Sequence, residues 1–193
     1  MTSCVHARLL SWLQAAYLME DLAQRRLRTI LCHIRHRPTL RARIAEHLAD
    51  TRVQADELAA CIERLGGGVP DTAGLPAGVV PSTPRFDALR GGAFLRCLEI
   101  SQGLEDMEAA TYCALIDAAE AAGEPRIAAV CQRLLHEELT MAEWLRDYQD
   151  AMLRRLLGQD AAQGVLREGE DIEDAAGPVP GRPPVAPRLH ARR

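Results

Sequence analysis

The sequence contains no lysine, so every positive charge rests on arginine or histidine. Aromatic residues make up only 4% of it. Windows rich in β-branched and aromatic residues are nearly absent, which argues against a sheet. Ala, Leu, Arg and Glu dominate instead, and that composition favours an all-α fold. The six cysteines (Cys4, Cys32, Cys61, Cys97, Cys113 and Cys131) form no CxxC pair. They read as small apolar residues of a protein in a reducing compartment. No stretch approaches the ~20 apolar residues that a membrane span needs. The opening "MTSCVHARLL" lacks the apolar run of a signal peptide, so a cytoplasmic location is expected. A net charge of −4 and a pI near 5.9 make the whole chain a poor nucleic-acid binder. There is no glycine-rich phosphate loop, and no nucleophile beside an evident base.

What is present is long helical periodicity. At 193 residues the chain is long enough for one domain with a core, plus a tail. A first helix is expected over 5–33, with Leu9, Leu13, Ala16, Ala23, Leu27 and Ile30 on one stripe. It stops in "RHRP", ahead of Pro38. Thr39 is the expected N-cap of a second helix that carries Leu40, Ile44, Leu48, Leu58 and Ile62 and ends at the glycines from Gly66. Residues 66–88 are rich in Gly and Pro and read as a crossover. A third helix is expected over 89–122. Then comes the short turn "AGEP", with Pro125 suited to a first-turn position, and a fourth helix over 126–157. Two antiparallel hairpins joined by one long crossover describe a ferritin-like four-helix bundle over 1–158. Residues 159–193 turn acidic, then rich in Pro and Arg, and read as a disordered tail that could dock an unknown partner.

The stripes carry carboxylates where leucines would be usual. Glu105 and Glu108 share a face of the third helix, Glu138 lies on the inner stripe of the fourth, and Glu20 falls between Ala16 and Ala23 on the first. The second helix offers His47, Asp50 or Thr51, and Gln54. Register brings them together. Glu105 and Glu138 have their midpoint between Ala121 and Ala122, beside "AGEP". Glu20 and Asp50 centre on Arg35, and Glu20 and His47 between His33 and Ile34, both at "RHRP". Bare charges meeting at one depth in a dry core cost several kcal/mol each. They must protonate or take up cations. Carboxylates with an imidazole suit Fe or Mn, with Zn an option, bound as one ion or two.

Four segments resemble the YciE/YciF-like ferritin-like proteins: "YLMEDLA", "EHLADTRVQ", "LEDMEAATY" and "LLHEEL". That family shows Y-x-x-E, H-L-x-x-T-x-x-Q, E-x-x-E-x-x-x-Y and L-x-E-E in this order, and the match covers about residues 8–150. The resemblance implies a rubrerythrin-like or ferritin-like bundle, a dinuclear metal site, a homodimer and a bacterial stress association. Carried over by position, Glu20, His47, Thr51, Gln54, Glu105, Glu108, Tyr112, Glu137 and Glu138 match the signature, with Glu138 rather than Glu137 turned inward by helix phase. The chain also departs from the pattern. A full di-iron bundle uses Glu-x-x-His on two helices. Here the second helix has the reversed His47-x-x-Asp50, and Met141 and Ala142 follow Glu138 where ligands would stand.

Two readings follow. In one, a core of Glu20, His47, Asp50, Glu105, Glu108 and Glu138 binds metal and reacts with peroxide or oxygen, with Tyr17 or Tyr112 ordering oxygen species or buffering an oxidant. In the other, the chain is a non-enzymatic helical dimer or scaffold with a degenerate site. "HEELT" at 136–140 is no zinc-protease helix, because Thr140 stands where the second His is required. His33 and His36 read as favourable charge at a helix C-terminus.

Overall fold

The four periodic segments form four long helices in the computed structural model: α1 (Thr2–His33), α2 (Pro38–Arg64), α3 (Gly91–Ala122) and α4 (Pro125–Gln163). The structure describes residues 2–73 and 91–163, and no strand occurs among them. Most of the expected crossover, at 74–88, and the tail beyond 163 lie outside the described residues, as does the expected start of the third helix at Leu89.

The stop signals act as glycine and proline chemistry requires. Gly66 and Gly123 have φ of 74° and 73°, the left-handed region that a residue without Cβ enters freely. Each closes a Schellman motif. Gly66 N–H donates to Glu63 O and Gly67 N–H to Ile62 O, while Gly123 N–H donates to Glu120 O and Glu124 N–H to Ala119 O. Pro125 opens α4 as expected.

Two boundaries differ from the sequence expectation. Thr39 is not the N-cap: Arg37 holds that position without a side-chain bond, and Pro38 is the first helical residue. The ring of Pro38 presets φ for a first turn and has no N–H to satisfy, so the helix starts two residues earlier than an N-cap at Thr39 would place it. α4 also continues through Gly158 to Gln163. One glycine costs a helix only about 1 kcal/mol, and the helix formers around it outweigh that.

α1 packs on α2 and α3, and α4 packs on α3 and α2. The helices joined by the crossover, α2 and α3, therefore lie on a diagonal. The first half of α1 meets the last halves of α2 and α3, so α2 and α3 run in the same direction. The end of α2 at Arg64 and the start of α3 at Gly91 therefore lie at opposite ends of a bundle some 40–50 Å long, given about 1.5 Å per helical residue.

The apolar core is divided in two. One cluster, near the α3–α4 turn, contains Leu13, Leu58, Ile62, Leu115, Ile127 and Leu134. The other, near the α1–α2 turn, contains Leu27, Ile34, Leu40, Phe94, Leu98 and Leu145. Every residue of the expected apolar stripes on α1 and α2 is buried. Cys61, Cys97 and Cys131 are buried, as small apolar residues should be, but Cys4, Cys32 and Cys113 are exposed. No helix among the described residues is long and apolar enough to cross a membrane.

Candidate metal centre

Between the two apolar clusters lies a layer of buried polar side chains: Glu20 and Arg26 from α1, His47, Thr51 and Gln54 from α2, Glu105 and Glu108 from α3, and Glu138 from α4. Helix phase selects them. On α2, positions 47, 51 and 54 advance by four and then three residues and stay on one face. Asp50 belongs to the flank of that face. It is half-buried and stays outside the group formed by His47, Glu105, Glu108 and Glu138. Its charge is felt by Glu137, which is half-buried beside it.

The contacts are close. His47 Nε2 lies 3.0 Å from Glu105 Oε2 and 4.0 Å from Glu138 Oε2. Gln54 donates from Nε2 to Glu138 Oε1 at 2.6 Å and to Glu137 Oε2 at 3.2 Å. Thr51 donates to the His47 carbonyl at 2.8 Å, fastening the inner face of α2 to itself. The Tyr112 hydroxyl donates to Glu20 Oε1 at 2.5 Å. Arg26 Nη2 lies 3.0 Å from Glu105 Oε1 and 3.8 Å from Glu108 Oε1.

Burial sets the electrostatics and the neighbours sort the carboxyls. Burial, then the charge of Glu108, holds Glu20 well above the ordinary carboxylate range. Burial, then Glu105, pushes Glu108 up to about 7. Burial, then Glu20 and Glu105, holds Glu138 well above its ordinary value. Burial also acts to raise Glu105, but His47 and Arg26 beside it outweigh that, and its carboxyl ends below the ordinary value. Glu105 is thus the member of the layer held as an anion. The Tyr112 phenol is pushed well up by burial and then by Glu20.

Of the residues singled out in the sequence, Glu20, His47, Glu105, Glu108, Glu138 and Tyr112 all reach this layer. One ligand atom from each of His47, Glu105, Glu108 and Glu138 falls within 4.8 Å of the others. Glu20 is fully buried but stands apart from that group, against Tyr112. Tyr17 is half-buried and packs against the apolar cluster on the α3–α4 side.

Sequence reasoning missed Arg26. It falls three residues after buried Ala23 and one before buried Leu27, on the rim of the α1 stripe. An arginine there reads as solvated. The proximity of Glu105 and Glu108 on α3 turns it inward, where it is 8% exposed. Its other side borders an apolar cleft of about 390 Å³ between α1 and α3, walled by Leu18, Met19, Leu22, Leu104 and Met107.

The layer fits a cation. His47 Nε2, Glu105 Oε2 and Glu138 Oε2 are buried and converge, with the imidazole 3.0 Å from one carboxylate and 4.0 Å from the other. Carboxylates crowded in a dry interior are unfavourable as bare anions unless protons or a cation join them. Three carboxylates and an imidazole form a donor set suited to Fe or Mn, and Zn is accommodated. Met141, buried three residues after Glu138, adds no such donor.

Comparison with known proteins agrees with the fold. A protein from Xanthomonas campestris pv. campestris is 32% identical over 81% of this chain and 98% of its own, with a TM-score of 0.67. A ferritin-like, diiron-carboxylate protein from Bacillus anthracis is 17% identical, over 75% of this chain and 97% of its own, with a TM-score of 0.62. The bacterioferritin of Desulfovibrio desulfuricans, which has a diiron site, is 16% identical, over 89% of this chain and 99% of its own, with a TM-score of 0.67. The last two establish a ferritin-like four-helix bundle. Residues 5–158 match the family described as "Domain of unknown function (DUF892)", and with four helices of that span accounted for, the chain belongs to this family.

Proposed function

We propose that this protein is a ferritin-like metal binder of the YciE/YciF-like kind. It holds one or two transition-metal ions, iron first and Mn or Zn as alternatives, and with Fe or Mn bound it serves bacterial stress tolerance by reaction with peroxide or oxygen. The observation that carries this reading is the convergence of buried ligand atoms from His47, Glu105, Glu108 and Glu138 in the middle of the bundle. A bound redox-active ion supplies the electrons for reducing peroxide or oxygen. The chain supplies the rest. Glu105, kept ionised, is the anchoring carboxylate, with Glu138, Glu108 and His47 around it. Gln54 fixes the orientation of Glu138 through its 2.6 Å bond. Tyr112, bonded to Glu20, sets a phenol at the edge of the layer, and Tyr17 stands three residues from Glu20. The apolar clusters on both sides keep bulk water away.

A cytoplasmic homodimer is part of the proposal. The apolar cleft between α1 and α3, with exposed Trp12, Ile100 and Met107, supports self-association.

A second reading, a helical scaffold with a degenerate site, draws on Met141 after Glu138 and on Arg26 already paired with two of the acids. Elemental analysis of full-length protein purified without chelator separates the two. Stoichiometric metal, a melting temperature raised by Fe(II) or Mn(II), and loss of both in Glu105→Ala support the metal binder. No metal and unchanged melting support the scaffold.

A further inference from the structure

The geometry points to Arg26 as a built-in cation that occupies the position of a second metal ion and holds the polar layer to one ion per chain. This rests on the metal-binding reading above.

Glu105 is placed as a bridging carboxylate. Its Oε1 faces the Arg26 guanidinium at 3.0 Å, and its Oε2 faces His47 Nε2 at 3.0 Å. In a two-ion cage, a carboxylate so placed would have a cation at each oxygen. Here the two sides differ. On the side of His47 and Glu138, the buried ligand atoms face one another, the imidazole 3.0 Å from Glu105 Oε2 and 4.0 Å from Glu138 Oε2. On the other side, Arg26 already contacts Glu105 Oε1 and Glu108 Oε1 and acts on Glu20 by charge. Glu20, Glu105 and Glu108 are the donors a second ion would need, and a guanidinium stands among them.

The charges agree with this count. One divalent ion plus the guanidinium balances Glu105, Glu108 and Glu138, the three carboxylates that converge on His47, and Glu20 lies outside that group. Two divalent ions plus the guanidinium would exceed even four carboxylates. Like charges at such range in a dry layer repel strongly. A second ion therefore requires Arg26 to leave. The α1–α3 cleft that it borders is walled by apolar side chains, so it offers the displaced guanidinium no carboxylate in exchange.

The test is metal stoichiometry in the full chain. Wild type, Arg26→Met and Arg26→Lys are loaded with Mn(II) without oxygen, desalted, and measured for metal per chain. EPR distinguishes an isolated Mn(II) ion from an exchange-coupled pair. The expected result is one ion per chain and an uncoupled signal in wild type, rising twofold to a coupled pair in Arg26→Met. Arg26→Lys, which keeps a cation, stays at one, and circular dichroism checks that each variant is folded. Two ions per wild-type chain overturn the role of Arg26 and leave the metal-binding reading intact. So does a folded Arg26→Met that still takes one. No metal in any of the three overturns the metal-binding reading itself.

Discussion

The apolar ends of the bundle and the polar layer between them follow opposite rules. At the ends, Leu, Ile, Ala and Cys side chains fill the space between helices, and their burial drives folding at roughly 25 cal/mol per Å². In the layer, four glutamates, a histidine, a glutamine and an arginine are equally buried. Buried ionic groups rarely improve on well-packed apolar residues of similar volume, and they often cost stability. The ends therefore hold the helices together, and the layer is what they hold. A scaffold selected for stability alone would continue the leucine stripes straight through it.

This contrast can be broken at the ends. Leu58, fully buried with Leu13 and Ile62, belongs to the apolar cluster near the α3–α4 turn. Leu58→Ala is expected to cost about 3 kcal/mol. The loss in urea unfolding should be the same with chelator as with saturating Mn(II). A loss that depends on metal would show that the two regions are not separate.

The contrast is sharpened by pH. Glu20, Glu108 and Glu138 have native pKa values raised above 4.5. Between 4.5 and those values the native state holds protons that the unfolded chain has released. Their contribution is fully present below 4.5 and is lost as pH rises, through about 7 for Glu108. Glu105 has the opposite sign: its lowered value gives stability that is lost only as pH falls below 4.5. The apoprotein should therefore lose on the order of 2 kcal/mol between pH 4.5 and 7.5, measured by urea midpoints at several pH values. Saturating metal should flatten that slope. An apoprotein equally stable across the range would contradict the account of the layer.

The smallest effect lies at the edge of the layer, where Tyr112 joins the apolar cluster by its ring and the acids by its hydroxyl. Tyr112→Phe keeps the ring and leaves Glu20 Oε1 without its donor. About 1 kcal/mol should be lost in apoprotein unfolding. No change would mean that the hydroxyl bond to Glu20 adds nothing to stability.

Much of this was legible in the chain because helix periodicity is local. Leu9, Leu13, Ala16 and Ala23 announce one face of α1 through spacing alone, and the same arithmetic turned Glu138 inward and left Glu137 on the flank. Equal distance from a tight turn brought Glu105 and Glu138 to one depth without reference to any fold. Asp50 was harder. It stands three residues from His47, and a 60° displacement around the helix separates a ligand position from a flank.

The order of helices, their stops at Gly66 and Gly123, and the depth at which the acids lie were decided by the amino-acid order, because each depends on residues a few positions apart. The partner of each acid was decided by the assembled bundle. Arg26 reaches Glu105 across 79 positions of chain, Tyr112 reaches Glu20 across 92, and Gln54 reaches Glu138 across 84. No local spacing encodes those pairings. They exist because α2 and α3 run in the same direction on a diagonal, which places α1 against α3 and α2 against α4 and gives an arginine from the rim of one stripe two carboxylates to meet.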